Sequence, residues 1–449
     1  LRVFGRMLDR RRGSVSARLN REDGVMGRFD SPLLLDLPGV PPLLLEVLAG
    51  CAGQRRLAMV GGAVRDLLLH RVHNDPWRGL PDLDLVVEGE AGEAAAVWLT
   101  RALERSGRVL VRGSREHGAY GTVEIALELA QPTGSPCTVL LDVATARREV
   151  YPVAGGNPQV SFAELDDDLA RRDFSINAMA LLLADPPRLL DPHGGQADLA
   201  QRLLRFLHPG SVRDDPTRLV RAARYAARLD FDLAPSSLEQ VRQTLAAWPW
   251  PWRPGDPPAQ APAALGTRLR MELQLLLERE RWPQALACLQ RWEALSLLDP
   301  GLQRDRSWQR RLRWGARLGL PPLLVWLAGA DHPQALAERL QLPRRQLRWL
   351  AALPLLRAGL PPVGSAAAAT PWDWTRWLEQ PGLPPEAIAL ALAAGIGPRR
   401  PLLRWWLRWR HLAAPQTARE LLQAGLAPGP ALGDRLRELR AERLRVEPS

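Results

Sequence analysis

Asp82 and Asp84 stand two residues apart at the start of the apolar run Leu83–Val87. A strand has a side-chain period of two, so both carboxylates leave it on one face. Two carboxylates so close suit a divalent cation, and magnesium (Mg²⁺) prefers oxygen ligands of this kind. A solvated strand start is the plainer reading of the pair. Leu83, Leu85 and two valines nevertheless imply a largely buried strand, where an unpaired carboxylate is costly. A third acid, Asp142, lies in the apolar run TVLLDVATAR. If that run pairs beside the first, three carboxylates converge as two-metal nucleotidyl transfer requires. One ion would activate a 3′-hydroxyl, both would steady the α-phosphate, and one would take the leaving pyrophosphate.

Two further segments offer phosphate chemistry. In MVGGAVRD, Gly61 and Gly62 separate an apolar run from a helical pattern. A glycine pair there lets the backbone approach a phosphate while the new helix presents its N–H groups, although Gly-Gly turns are common. In DLARRDFSINAMAL, Arg171 and Arg172 are phosphate donors beside Asp173 and Asn177, which can bond a ribose hydroxyl. Without its context this is equally a surface charge cluster.

The elements that must position these groups are legible. Leu57–Val60 reads as a strand, Ala63–Leu69 as a helix, Leu83–Val87 as a strand and Ala91–Ser106 as a helix. Gly121–Leu127 and Thr138–Ala144 have the Val, Ile, Leu and Thr content of strands. This α/β unit ends near residue 185, and beyond Leu189 the pattern is mainly helical. The Pro-rich stretches Trp248–Pro262 and Leu360–Pro371 read as linkers or long loops. Segment RWWLRWRH, Arg404–His411, reads as amphipathic core packing before RNA stacking.

GGAVRD, DLD, DVATAR and RRDFSINAMA, in this order, resemble the head domain of class II tRNA nucleotidyltransferases and bacterial poly(A) polymerases. The resemblance continues through LLDPHGGQADL and VRDDPTRLVRAARYAARLDF, and more weakly in RLRMELQLLL and LLQAGLAPGPALGDRLREL. It implies an α/β DNA polymerase β-like nucleotidyltransferase head followed by an all-α neck, body and tail. It also implies template-free addition of CCA, or of its terminal A, to the tRNA 3′ end from CTP and ATP. A poly(A) polymerase on the same fold, or a non-catalytic RNA-binding relative, is the alternative. Carried over residue by residue, Asp82 and Asp84 match the ligands of the two Mg²⁺ ions, and Asp142 matches the third acid. Gly62, Arg65 and Arg172 match triphosphate contacts, while Asp215, Arg218, Arg221 and Arg224 match the neck helix that reads the nucleotide. Asp215 and Arg218 are three apart, which on a helix puts them on one face. An acceptor-only carboxylate beside a donor-only guanidinium complements the amino group and ring nitrogen shared by adenine and cytosine.

There are departures. Thr267 stands before Arg268 where the family commonly has Glu, and Tyr151–Phe162 (YPVAGGNPQVSF) replaces a more basic flexible loop. The 22 residues between Arg148 and Arg171 show no gross deletion of that loop, which favours CCA or A addition over CC alone. Arg108–Arg112 lacks the basic segment usual in the poly(A) polymerases, and no His-Asp phosphohydrolase motif follows.

All 60 basic residues are Arg, against 49 acidic, for a net +11. Residues 301–449 hold 23 Arg and 11 acids, a net +12, leaving residues 1–300 near neutral. A basic rear suits a polyanion-binding arm, here the tRNA acceptor and T-arm, as well as an Arg-rich solvated surface. Three scattered cysteines form neither a zinc pattern nor a disulfide framework, which points to the cytoplasm. No apolar run reaches 18 residues, so no membrane span is expected. The expected organisation is a disordered extension at 1–25, with Met26 the start, then a catalytic head at 26–185, a neck at 186–300 and a tRNA-binding body and tail at 301–449. Oligomeric state is not legible.

Overall fold

The computed structural model describes residues 37–53, 55–79, 83–89, 95–117, 122–129, 137–184, 186–359 and 369–447. The extension expected at 1–25, and Asp82, lie outside them.

The front of the chain builds a mixed seven-stranded sheet in the order β3-β4-β5-β2-β1-β8-β9. Its centre is β1 (Leu57–Val60) and β2 (Leu83–Val87), whose residues are nearly all buried because both faces are covered. β3 (Leu110–His117), β4 (Thr122–Leu129) and β5 (Cys137–Thr145) extend one side. Along β4 buried and half-buried residues alternate strictly, so only one face of this wing is packed. The packed face meets the helices Pro42–Ala52 and Ala95–Ser106 in the main core. On the opposite face of β1, β2 and β8 (Ala180–Leu182), Leu165 and Leu169 close a small second core. The expected head limit at residue 185 falls within the sheet, since β9 (Arg188–Leu190) still pairs with β8.

The segment Tyr151–Phe162, which replaces the family's more basic flexible loop, ends in the second strand of an antiparallel ribbon, β6 (Arg147–Val150) with β7 (Gln159–Phe162). Its tip is tied to the helical neck. The Gly155 N–H donates to the Asp214 carbonyl at 3.2 Å, and the Gly155 carbonyl accepts from the Ala264 N–H at 3.1 Å. Gly155 has φ +71°, and a Cβ there would lie 2.8 Å from the Trp250 ring, so this closeness requires glycine.

The neck consists of the helices Ser211–Asp214, Thr217–Leu229, Pro235–Ala247, Thr267–Arg279 and Trp282–Arg291. Between them, Trp248–Pro262, expected to be a linker or a long loop, is a long loop packed against the neck. Trp250 and Trp252 are buried, and their indole N–H groups donate to the carbonyls of Arg213 and Pro257 at 3.0 and 3.2 Å. Its prolines resemble a linker's, but two large aromatic anchors decide its conformation. Among the described residues, helices continue from Pro300 to Gly359 and from Pro371 to Val446, and one apolar core extends from head to body. Trp405 and Trp409 of RWWLRWRH are buried in that core. No helix among the described residues is long and apolar enough to cross a membrane.

Candidate active site

β2 and β5 run parallel in a register that sets Asp84 directly beside Asp142. Paired residues on adjacent strands share a face, so both carboxylates point the same way, about 5 Å apart in strand spacing. Glu124 on β4 is next in the same row, opposite Asp142. Among the described residues no group of three or more Asp, Glu, His or Cys is arranged to hold a metal, and Asp82 lies outside those residues.

Gly61 ends β1 with φ +69°, where only glycine is unstrained. A Cβ there would lie 3.2 Å from Arg172 Nη1 and 3.5 Å from Asp84 Oδ2. The bare turn therefore opens between a carboxylate and a guanidinium, with the first turn of helix Gly62–Arg71 beside it. A chelated phosphate needs these three elements together: backbone N–H groups, a cation and a metal-holding acid.

These groups line a cleft of about 570 Å³. Gly61, Gly62, Asp84, Arg171, Arg172, Asp173, Asn177, Asp215, Arg218 and Arg221 all reach it. Asp142, Arg65 and Arg224 do not line it. Arg65 lies behind the wall, its guanidinium holding Asp66 at 2.8 and 3.0 Å and Asn177 Oδ1 at 2.9 Å. It is a positioning residue for the Gly turn and Asn177, which differs from the triphosphate contact implied by the resemblance. Arg224 is spent on Glu272 and Glu280 across the neck.

The two arginines of the RRD segment share one buried anchor. Arg171 donates to Asp168 Oδ1 at 2.6 and 2.9 Å, and Arg172 donates to Asp168 Oδ2 at 2.9 Å. Burial works to raise the Asp168 pKa, but Arg172 and Arg171 outweigh it and hold the carboxyl below its usual range. Asp173 is likewise held down against burial by Arg221 and Asn177. Its two oxygens are taken by Asn177 at 3.0 Å and Arg221 at 2.6 Å, which ties the head to the neck at the wall of the cleft.

Both carboxyls titrate lower when folded than unfolded. Their contribution is present above the unfolded value, near ~3.9, and is lost as pH falls through the folded values. Asp168→Asn is expected to destabilise the protein by roughly 3–5 kcal/mol, since two guanidiniums lose their buried anion. Urea unfolding at pH 7 and at pH 3 checks this. The deficit at pH 7 should shrink at pH 3, and an equal deficit at both would exclude an ionic role.

Asp215 and Arg218 were expected on one face of a helix, as a pair. They are neither. Asp215 precedes Pro216, which disfavours the helical region for the residue before it, and its backbone is extended with φ −141° and ψ 93°. Its Oδ1 accepts from the Thr217 N–H and hydroxyl at 3.1 and 2.6 Å, while Arg268 holds its Oδ2. Arg218, in the first turn of helix Thr217–Leu229, donates to the Arg171 carbonyl at 2.9 Å. The two side chains still face one cleft, one offering acceptors and the other donors.

The residues alone did not single out the wall formed by the β6–β7 ribbon. Arg147, Glu149 and Tyr151 line the cleft at the strand period, a signal the sequence does contain. Glu149 accepts from Arg171 at 2.9 Å and from the Tyr151 hydroxyl at 3.2 Å. Burial and the Glu149 charge push the Tyr151 phenol up to about 12, so it stays a donor at neutral pH. Arg268 was noted only for the residue before it. It bridges Asp215 and the Gly156 carbonyl of the ribbon tip, the latter at 3.2 Å.

The family described as the poly A polymerase head domain matches residues 57–205. A CC-adding tRNA nucleotidyltransferase of Deinococcus radiodurans is 36% identical over 387 residues, covering 85% of this chain and 83% of that protein. An A-adding tRNA nucleotidyltransferase of Aquifex aeolicus is 36% identical over 250 residues, 55% of this chain and 26% of that protein. The apo structure of a CCA-adding enzyme has the same fold, with a TM-score of 0.65 at 23% identity over 93% of this chain and 95% of that one. A relative this similar over most of both lengths leaves one assignment, and the chain belongs to the tRNA nucleotidyltransferase family.

Proposed function

We propose that the protein adds nucleotides to the 3′ end of tRNA from CTP and ATP, releasing pyrophosphate, and that it acts in the cytoplasm. One observation carries the reading. The Gly61 turn, Asp84 and Arg172, which suit a metal-bound triphosphate, share a single cleft with Asp215 and Arg218, which suit a base edge. A nucleoside triphosphate has these two ends.

Asp84 and Asp142, side by side on adjacent strands, offer the oxygen donors that fit Mg²⁺, and with Asp82 they are the residues that would hold it. When bound, two such ions supply charge neutralisation at the α-phosphate and a more acidic 3′-hydroxyl. The chain's own groups do the rest. Arg172 and the helix N–H groups hold phosphate oxygens, while Asp168 keeps Arg172 aimed. Asp215 accepts from an exocyclic amino group and Arg218 donates to a ring nitrogen. The acceptor and T-arm of the tRNA would rest on the helical body, in keeping with its net +12 charge.

Addition of CCA, or of the terminal A alone, is the first reading. CC addition is a second, favoured because the CC-adding relative matches over 85% of the chain and the A-adding one over 55%. The test gives purified protein tRNAs ending before the first C, after CC and after CCA, with ATP, CTP or both. Extension by CC, A or CCA identifies the activity, and long A tails would reassign it to poly(A) synthesis. No extension of any acceptor would overturn the proposal.

A further inference from the structure

Helix Thr267–Arg279 carries Arg268, the residue that holds Asp215 in the cleft. The first N–H groups of a helix have no partner within it, and a polar side chain just before them is the usual local anchor. Here that position is Gly266, which has no side chain. The start of the helix is held from outside, by a corner of the body at Arg339–Gln341. The Thr267 hydroxyl donates to Gln341 Oε1 at 2.8 Å, across 74 residues of chain, and the Arg270 guanidinium donates to the Gln341 carbonyl. Gly266 lies against the Arg339 carbonyl, which a Cβ would meet at 3.0 Å. On its other side the same stretch reaches the ribbon tip, through Ala264 to Gly155 and Arg268 to Gly156.

The corner is itself fixed. The buried Arg339 guanidinium stacks 4.9 Å from the Trp252 ring centroid and donates to the carbonyls of Leu297 and Leu298 at 3.2 and 3.1 Å. Gln341 follows the helix Pro333–Arg339 with φ +54°, where glycine is the unstrained residue. The N–H groups of Gln341 and Leu342 bond back to the carbonyls of Glu338 and Ala337 at 2.9 and 3.0 Å, as at many helix ends. Ending the helix would therefore be served better by glycine. What glutamine adds is the acceptor for Thr267. Thr267 stands where the family commonly has Glu, and an ionised Glu, acceptor-only, could not donate to Gln341 Oε1.

We propose that Gln341, acting through Thr267, is a positioning residue for nucleotide choice: it fixes the first turn of the helix and so sets where Arg268 holds Asp215. This rests on the function proposed above. Neither Thr267 nor Gln341 lines the cleft, so their effect reaches the base only through Arg268 and Asp215. Thr267 and Arg268 are adjacent, and slack at one passes to the other across a single peptide unit. Small displacements of a positioned group are costly even when they originate away from the substrate.

Three variants test this. Gln341→Gly removes the acceptor and relieves the backbone, Thr267→Val removes the donor at nearly constant volume, and Thr267→Ser keeps it. For each, CTP and UTP affinities are measured with magnesium and without RNA, then single-nucleotide addition with each of the four triphosphates, and thermal unfolding. Gln341→Gly should unfold at the wild-type temperature or above, while its preference for CTP over UTP falls about three- to tenfold, part of what a full base contact supplies. A side chain serving stability alone would not lower the preference while Tm holds or rises. Thr267→Val should lose preference to a similar degree, and Thr267→Ser should retain it. In an Asp215→Ala background Gln341→Gly should change the ratio no further, because the acceptor it positions is gone.

An unchanged CTP-to-UTP ratio in Thr267→Val or in a folded Gln341→Gly would overturn the proposal. So would effects that add in the double variant, or a wild type that binds CTP and UTP equally. If Gln341→Gly unfolds early, the contrast between Thr267→Val and Thr267→Ser decides. Should the wild type extend no acceptor, the catalytic reading fails, while the ratio of CTP to UTP affinities still decides the role of Gln341.

Discussion

Asp84→Ala is expected to abolish nucleotide addition, lowering kcat/KM by about 10³-fold or more while the protein stays folded. The Asp84 carboxylate faces the opening above Gly61 beside Arg172 and lies next to Asp142 in the sheet. Removing one metal ligand should cost several kcal/mol of transition-state stabilisation, and each ~1.4 kcal/mol is about a factor of ten. Stability should change little, because Arg172 keeps Asp168 as its partner and Asp84 itself is only half-buried. Single-turnover addition to a tRNA acceptor, alongside thermal unfolding, gives the answer. Addition at near wild-type rate by a folded variant would remove Asp84 from the metal site.

Asp215→Ala should change which nucleotide is used more than how tightly triphosphate is held. The phosphates keep Arg172 and the Gly61-Gly62 turn, whereas the base loses its acceptor. A well-placed bidentate base contact is worth roughly 1–3 kcal/mol, or about 5- to 150-fold in discrimination. Arg268 sharpens the expectation. With Asp215 gone its guanidinium loses its carboxylate partner but keeps the Gly156 carbonyl, so it stays in the cleft as a donor. A donor there favours the oxygen of uracil or guanine over the amino group of cytosine or adenine. UTP and GTP should therefore gain on CTP and ATP, beyond what removal of repulsion alone would give. Single-nucleotide addition with each of the four triphosphates reads the ratio. A ratio unchanged across all four would mean that Asp215 serves only to cap the neck helix through Thr217.

By itself the sequence determined the local elements and their chemistry. The strands at Leu57–Val60 and Leu83–Val87, the helix after Gly61-Gly62 and the acid-bearing strand around Asp142 were legible, because periodicity and glycine placement act over a few residues. Even the extended backbone of Asp215 was written in the following Pro216, a local rule outweighed by the helical spacing to Arg218. Only the tertiary structure decided who partners whom. Asp215 belongs with Arg268, 53 residues away, and Asp173 with Arg221, 48 residues away. Such pairings follow from how the neck helices cross, which no local pattern encodes. The same holds for Trp248–Pro262, whose prolines suggested a linker or long loop, and for the β6–β7 ribbon that it packs against. Burial of Trp250 against Gly155 makes them one ordered wall, since aromatic burial at a distant contact outweighs a weak local preference for turn. The total charge of the rear was likewise plain in composition. Only packing decided that Arg399 stacks on Trp314, because two acid-free helices, some ninety residues apart in sequence, pack on the same buried one.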